Sequence, residues 1–173
     1  MNKHFHISVI SPANGKFATV FEDITERKKA DEDIKRNLSL LNGINIVFEK
    51  SLKCETVEEV VSQCLDVAEE LSGSEFSFIG EINENGRLDD RAISPPGWDA
   101  CTANPERSLE LLSNMEIVSY WGRTIKEGKS QIVNEPESDP DRRGLPEGHP
   151  PINSFLGVLL KQGNKTIGIF CLS

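Results

Sequence analysis

No apolar run in the 173 residues approaches the ~20 residues that a membrane-spanning helix needs. Met1 to Ile10 is too polar for a signal peptide, so a cytoplasmic protein is expected. Cysteine is sparse. Four stand at 54, 64, 101 and 171, no two in CxxC spacing and none followed by His at zinc-ligand distance. A disulfide framework is therefore not expected. A glycine-rich phosphate loop is missing, and so is any motif around a nucleophile, so no catalytic residue is assigned. Positive charge is lacking where a nucleic-acid surface would need it. Residues 1–55 carry a net +1, whereas residues 56–173 carry a net −10, which argues against a nucleic-acid surface.

What is present is patterned. Phe17, Thr19 and Phe21 alternate with Ala18, Val20 and Glu22, the period of a strand. His4 to Ile10 reads as its partner, with Ser11 to Gly15 as the turn. Asp23-Ile24-Thr25-Glu26-Arg27 then opens a charged helix, with Thr25 placed to cap it. Ile34, Leu38, Leu41, Asn45, Phe48 and Leu52 recur at intervals of four and three. This heptad spacing predicts the seam of a parallel homodimeric coil, with Asn45 setting its register. The alternative is an amphipathic helix lying on its own domain. A second helix follows, boxed by Thr56 and Glu59 and closed at Ser72-Gly73. Its apolar face is read as Val57, Val60, Val61, Cys64, Ala68 and Leu71.

Beyond it come a strand (Glu75 to Ile82), a turn at Asn83-Glu84-Asn85-Gly86, and a return strand (Arg87 to Ser94). Pro95-Pro96-Gly97 reads as breaking that strand and Trp98 to Cys101 as a loop or short turn. A helix is predicted over Pro105–Met115 and another over Tyr120–Glu127. A short strand at Gln131–Asn134 precedes a polar loop from Glu135 to Pro151. A final hairpin, Ser154–Lys161 and Lys165–Leu172, completes an α+β domain on an antiparallel sheet flanked by helices, preceded by a β-hairpin and a long connecting helix.

Two resemblances attach to these segments. Gly15 to Lys28, with Phe17-Ala18-Thr19-Val20-Phe21 and Asp23-Ile24-Thr25, resembles the last strand and exit of a PAS sensory domain. The second is carried by Trp121-Gly122-Arg123 with Glu127-Gly128-Lys129, then Ile132-Val133-Asn134. Pro146-Glu147-Gly148-His149-Pro150-Pro151 with Phe155-Leu156-Gly157-Val158 continues it, and Gly163-Asn164-Lys165-Thr166-Ile167-Gly168 ends it. These residues resemble the GAF domain, most of all that of PAS/GAF sensor histidine kinases, including archaeal ones. Such domains usually have Pro where Leu159 stands, so a less kinked strand is expected here.

The resemblances imply a fragment of a larger sensor. Residues 1–25 would be a C-terminal PAS remnant, 26–53 a signalling linker helix, and 54–173 a GAF domain without its closing helix. A pocket would sense a small ligand or redox state and relay through the flanking helices to an output kinase domain. The alternative is a structural dimerisation module whose pocket is filled by its own side chains. Carried over from the family, the pocket residues are Phe78, Trp98, Cys101, Trp121, His149 and Phe155, although aromatics of this kind also serve as ordinary core. Some GAF domains hold haem, for which His149 and Cys101 are the candidate ligands. Otherwise His149 ties down its proline-rich loop. Asp139, Asp141 and Glu147 read as a solvated loop or a metal cluster.

Overall fold

The computed structural model describes residues 3–13, 15–100, 112–145 and 147–173. It divides into two compact units, Met1–Ile44 and Asn45–Ser173. In the first, β1 (Phe5–Ala13) and β2 (Lys16–Asp23) pair antiparallel, from Phe5 opposite Asp23 to Ile10 opposite Ala18. The expected turn is shorter than Ser11 to Gly15. The ladder shifts register after Ile10 and resumes at Ala13 opposite Lys16, and Gly15 supplies the left-handed backbone at φ +73°.

Helix α1 (Thr25–Ser51) follows and crosses the division between the units. Thr25 does not cap it. It is the first helical residue, and its hydroxyl oxygen accepts from the His4 N–H at 2.9 Å. The Asp23 carboxylate, not Thr25, takes an orphan N–H of the first turn, that of Thr25, at 3.0 Å. The Thr25 hydroxyl first, and this N–H second, hold the Asp23 carboxyl below its usual value. Along α1, Ile34, Leu38, Leu41 and Phe48 are all more than half exposed, as is Leu52 one residue past its end.

In the second unit, α2 (Val57–Ser72) is bounded as its sequence dictates. The Thr56 hydroxyl accepts from Glu59 N–H at 3.2 Å, and Gly73 closes the helix at φ 72°. The Glu59 carboxylate reaches back to Glu55 N–H at 2.8 Å. Val60, Val61, Cys64 and Ala68 of the expected face are half-buried. The face centres on Leu65, missed in the sequence, at 1% exposure, whereas Val57 is 72% exposed.

Helix α2 lies on β3 (Ser77–Ile82) and β4 (Leu88–Ile93). The chain then forms α3 (Pro95–Ala100), α4 (Ser119–Glu127), β5 (Gln131–Val133), β6 (Phe155–Gln162) and β7 (Lys165–Leu172). The five strands order as β4-β3-β7-β6-β5, with every neighbouring pair antiparallel. The expected α+β architecture is thus the observed one. Leu159 pairs with Ile169 without interruption, and the ladder shifts only beyond Leu160.

The strand ends before Pro95 as expected, and Pro95 and Pro96 start the short helix α3, since a proline in the first turn forfeits no helical hydrogen bond. Of the helix expected over Pro105–Met115, residues 105–111 lie outside the described residues. Met115 is not helical: its backbone bridges Leu88, N–H to carbonyl at 2.8 and 3.0 Å.

The core occupies both faces of the sheet, with Leu65, Ile79 and Leu172 buried outside its main cluster. Leu88, Tyr120, Val133, Phe155, Ile169 and Cys171 are its buried cluster, with Phe78, Ile82, Met115, Trp121 and Ile152 packed around them. Gly80 makes room for Leu88: a β-carbon there would stand 2.6 Å from a Leu88 methyl. Gly157 does the same for the Phe155 ring, 2.9 Å from the corresponding position.

Candidate functional site

Above this core is a cavity of about 320 Å³, at the small end of the ~300–1,000 Å³ typical of ligand pockets. Its floor is the sheet, through Phe78 on β3 and Leu88, Asp90 and Ile93 on β4. Trp98 on α3 and Tyr120 and Trp121 on α4 form walls, and the loop after β5 covers it with Pro136, Arg142, Leu145, His149 and Ile152. Five of the six residues carried over from the family line this space: Phe78, Trp98, Trp121, His149 and Phe155. The sixth, Cys101, lies outside the described residues.

The wall on the α4 side is set by a tight entry into that helix. Ser119 lines the cavity with φ at +61°, an uncommon backbone for a residue with a β-carbon. Gly122 follows because any side chain would meet the Ile117 backbone, 2.7 Å away. Tyr120 then leans against Phe155, ring centroids 4.8 Å apart.

The covering loop is fastened by Arg123. Its guanidinium grips both Asp139 oxygens, at 3.1 and 2.7 Å, and Asp141 at 2.6 Å, while Nε donates to Gln131 at 2.8 Å. The bidentate fork is the strong form of an ion pair. It holds the Asp139 carboxyl below its usual range and raises Arg123. Asp139 and Asp141 are therefore a structural clamp and not metal ligands. Among the described residues, no cluster of His, Cys, Asp and Glu could hold a metal ion.

His149 packs edge-on against Phe76, and its Nδ1 lies 2.6 Å from the Pro150 carbonyl. Nδ1–H is thereby the donor, which in the neutral ring leaves the lone pair on Nε2. This one contact serves both readings of His149: it ties the loop down, and it leaves a nitrogen able to ligate. Among the described residues, the fit to haem goes no further than that single nitrogen.

Sequence reasoning missed Asp90. It faces Gly80 across the β3–β4 ladder, beside a bulge that follows Ile79 and accommodates Arg91. Burial raises its carboxyl from 3.8 to about 7, a rise that the neighbouring Arg91 and Ala92 N–H groups oppose without offsetting. Oδ1 is buried with no hydrogen-bond partner. Behind it, burial and the Asp90 charge push the Cys171 thiol well above its usual value. The signal was available: two residues beyond Leu88 in a strand, Asp90 shares its face.

A family model described as the GAF domain matches residues 54–173. The chain belongs to the GAF domain family. The sheet order and the cavity above it are those of its GAF domain, and the match starts at Cys54, leaving residues 1–53 without a family assignment. No curated protein matches the chain. Among solved structures, it is similar to the GAF domain of a phosphoenolpyruvate-protein phosphotransferase (ptsP) from Coxiella burnetii. That match is 13% identical, covers 78% of this chain and 77% of the other, and has a TM-score of 0.65. The GAF domain of the Acinetobacter phosphoenolpyruvate-protein phosphotransferase matches at 15% identity, 76% and 74% coverage and a TM-score of 0.59. The A. aeolicus nlh2 GAF domain in an inactive state matches at 19% identity, 78% and 80% coverage and a TM-score of 0.54. At such identities the likeness is one of fold.

Proposed function

We propose that this chain is a sensory and regulatory module whose GAF cavity binds a small, largely apolar molecule. The observation that carries the reading is the 320 Å³ space itself, walled by aromatic side chains, floored by one unpartnered carboxylate and covered by a clamped loop. Occupancy is relayed by its differential affinity for two states of the protein. The flanking helices, α1 among them, carry the response to the output of a cytoplasmic sensor histidine kinase. Residues 1–25 are then the end of a PAS domain in the same parent. Native mass spectrometry of the purified protein, followed by thermal-shift screening of small apolar compounds, tests the reading. A ligand at a hundred times its Kd stabilises the folded state by about 2.7 kcal/mol. Phe78→Trp, which adds bulk at the cavity floor, abolishes that shift. A protein that carries no small molecule and responds to none overturns the proposal.

The exposed row Ile34, Leu38, Leu41, Phe48 and Leu52 supports a second reading, dimerisation through α1. The two readings are compatible, since a dimeric linker is also a route for the signal. A haem on His149 Nε2 is a narrower proposal, tested by a Soret band that His149→Ala removes.

A further inference from the structure

The covering loop brings two cations to the cavity. Arg142 and Arg143 both line it, and both are exposed. Their place follows from the clamp. Arg123 holds Asp139 and Asp141, and the Arg142 N–H donates to the Asp139 carbonyl at 3.0 Å. The two arginines therefore leave a fastened turn. Residues 56–173 carry a net −10, so an arginine there has many acids within choice. Arg87, Arg91 and Arg123 each take one; among the described residues, Arg142 and Arg143 form no ion pair. Tyr120 adds a donor. It is 4% exposed and lines the same space, and no described residue accepts its hydroxyl proton. The sealed, unpartnered side-chain atoms among the described residues are Gln63 Oε1 and Asp90 Oδ1, so the hydroxyl opens on the cavity. Burial first, then the Cys171 thiol, raise it above its usual value and keep it a donor, while the Arg142 charge opposes them from within reach. Two acids also border the space: Glu137 is exposed in the loop, and Asp90 is in the floor with Oδ1 closed off from it.

We infer that the molecule taken up by this cavity has an apolar or aromatic body and an anionic oxygen head, a carboxylate above all, held by Arg142, Arg143 and the Tyr120 hydroxyl. This rests on the pocket reading above and adds the chemical class. A carboxylate matches the planar fork of a guanidinium and accepts from a phenol as well. At the exposed arginines the head keeps part of its water, so it escapes the desolvation cost of the cavity floor. The aromatic walls, Phe78, Trp98, Trp121 and Phe155, take the body. A neutral head gains a hydrogen bond without the charge, and a cationic one meets the two arginines with the wrong sign.

Three probes of matched shape test the assignment: phenylacetate, phenethyl alcohol and phenethylamine, titrated calorimetrically into the full chain at neutral pH. Phenylacetate is expected to lead either of the others by roughly 10-fold, the lower end for a charge-assisted hydrogen bond, because the guanidinium groups also meet solvent. Added salt is expected to narrow that lead. Arg142→Gln combined with Arg143→Gln, at two exposed positions, is expected to abolish it with little effect on phenethyl alcohol. Tyr120→Phe, which keeps the ring against Phe155, is expected to weaken phenylacetate about 5-fold; an unchanged affinity there removes the hydroxyl from the site. An alcohol or amine that binds as tightly as the acid, a preference for the acid that survives the arginine substitutions, or failure of all three probes overturns the anionic head. The pocket reading is judged separately, by the thermal-shift screen of neutral apolar compounds, and falls only if none of those binds.

Discussion

Asp90→Asn should stabilise the protein, and only above acidic pH. In the unfolded chain the carboxyl titrates near 3.8, and in the folded one at about 7. The folded state thus favours the protonated form. Stability is undiminished below 3.8, falls as pH rises through the interval, and levels off above about 7. At ~1.4 kcal/mol per pH unit, the ionised carboxylate costs the folded state ~4 kcal/mol at about pH 8 and ~1 kcal/mol at about pH 4.5. Asparagine keeps one oxygen beside the Arg91 and Ala92 N–H groups and never ionises. Its NH₂ group meets the same lack of a partner, which returns ~1 kcal/mol. A net gain of about 3 kcal/mol is therefore expected at about pH 8, shrinking to nothing at about pH 4.5. Urea unfolding of both proteins at the two pH values measures it. A gain independent of pH, or a loss at the higher pH, would refute the argument that an ionised Asp90 is held against its own solvation.

Arg123→Ala removes the fork on Asp139, whose side chain is only 7% exposed; a loss of about 2–3 kcal/mol is expected, with faster proteolysis of the loop after β5 as the direct readout. Gly168→Ala drives a β-carbon into the Gly80 carbonyl of the neighbouring strand and should lower stability by about 1–3 kcal/mol or more, measured by thermal unfolding. Asn45→Leu is expected to loosen dimer register or raise the oligomeric state; sedimentation showing the same monomer for both proteins would remove the coiled-coil proposal.

Features written in local chemistry were legible. The Thr56–Glu59 box, Gly73 and Gly128 at helix ends, and the turns at Gly86 and Gly163 each depend on residues a few positions apart. The aromatic walls were legible because large apolar side chains announce themselves and the family resemblance gave them a place. What escaped was polar and non-local. Arg123 meets Asp139 and Asp141 across 16 and 18 residues, so the two acids looked like a solvated loop or a metal cluster. Asp90 lowers the hydrophobic signal of its strand, so pattern reasoning assigned it no face. Leu65 was passed over because the stripe was counted from Val57, which the first turn of α2 leaves exposed. Thr25 was read as a cap from its type alone, although its hydroxyl was already engaged by His4.

The glycines under the core have a different kind of consequence. At Gly80 and Gly157 the packing of Leu88 and Phe155 depends on atoms that are not there. Every other residue type adds at least one carbon at those positions, so substitution there runs in one direction only, toward worse fit. The cavity walls have no such restriction, because one side chain can be exchanged for another of similar bulk. On the proposed pocket reading, a lineage could therefore change what the cavity accepts by altering Trp98 or Trp121, while the two empty positions beneath keep the frame on which each new pocket is built.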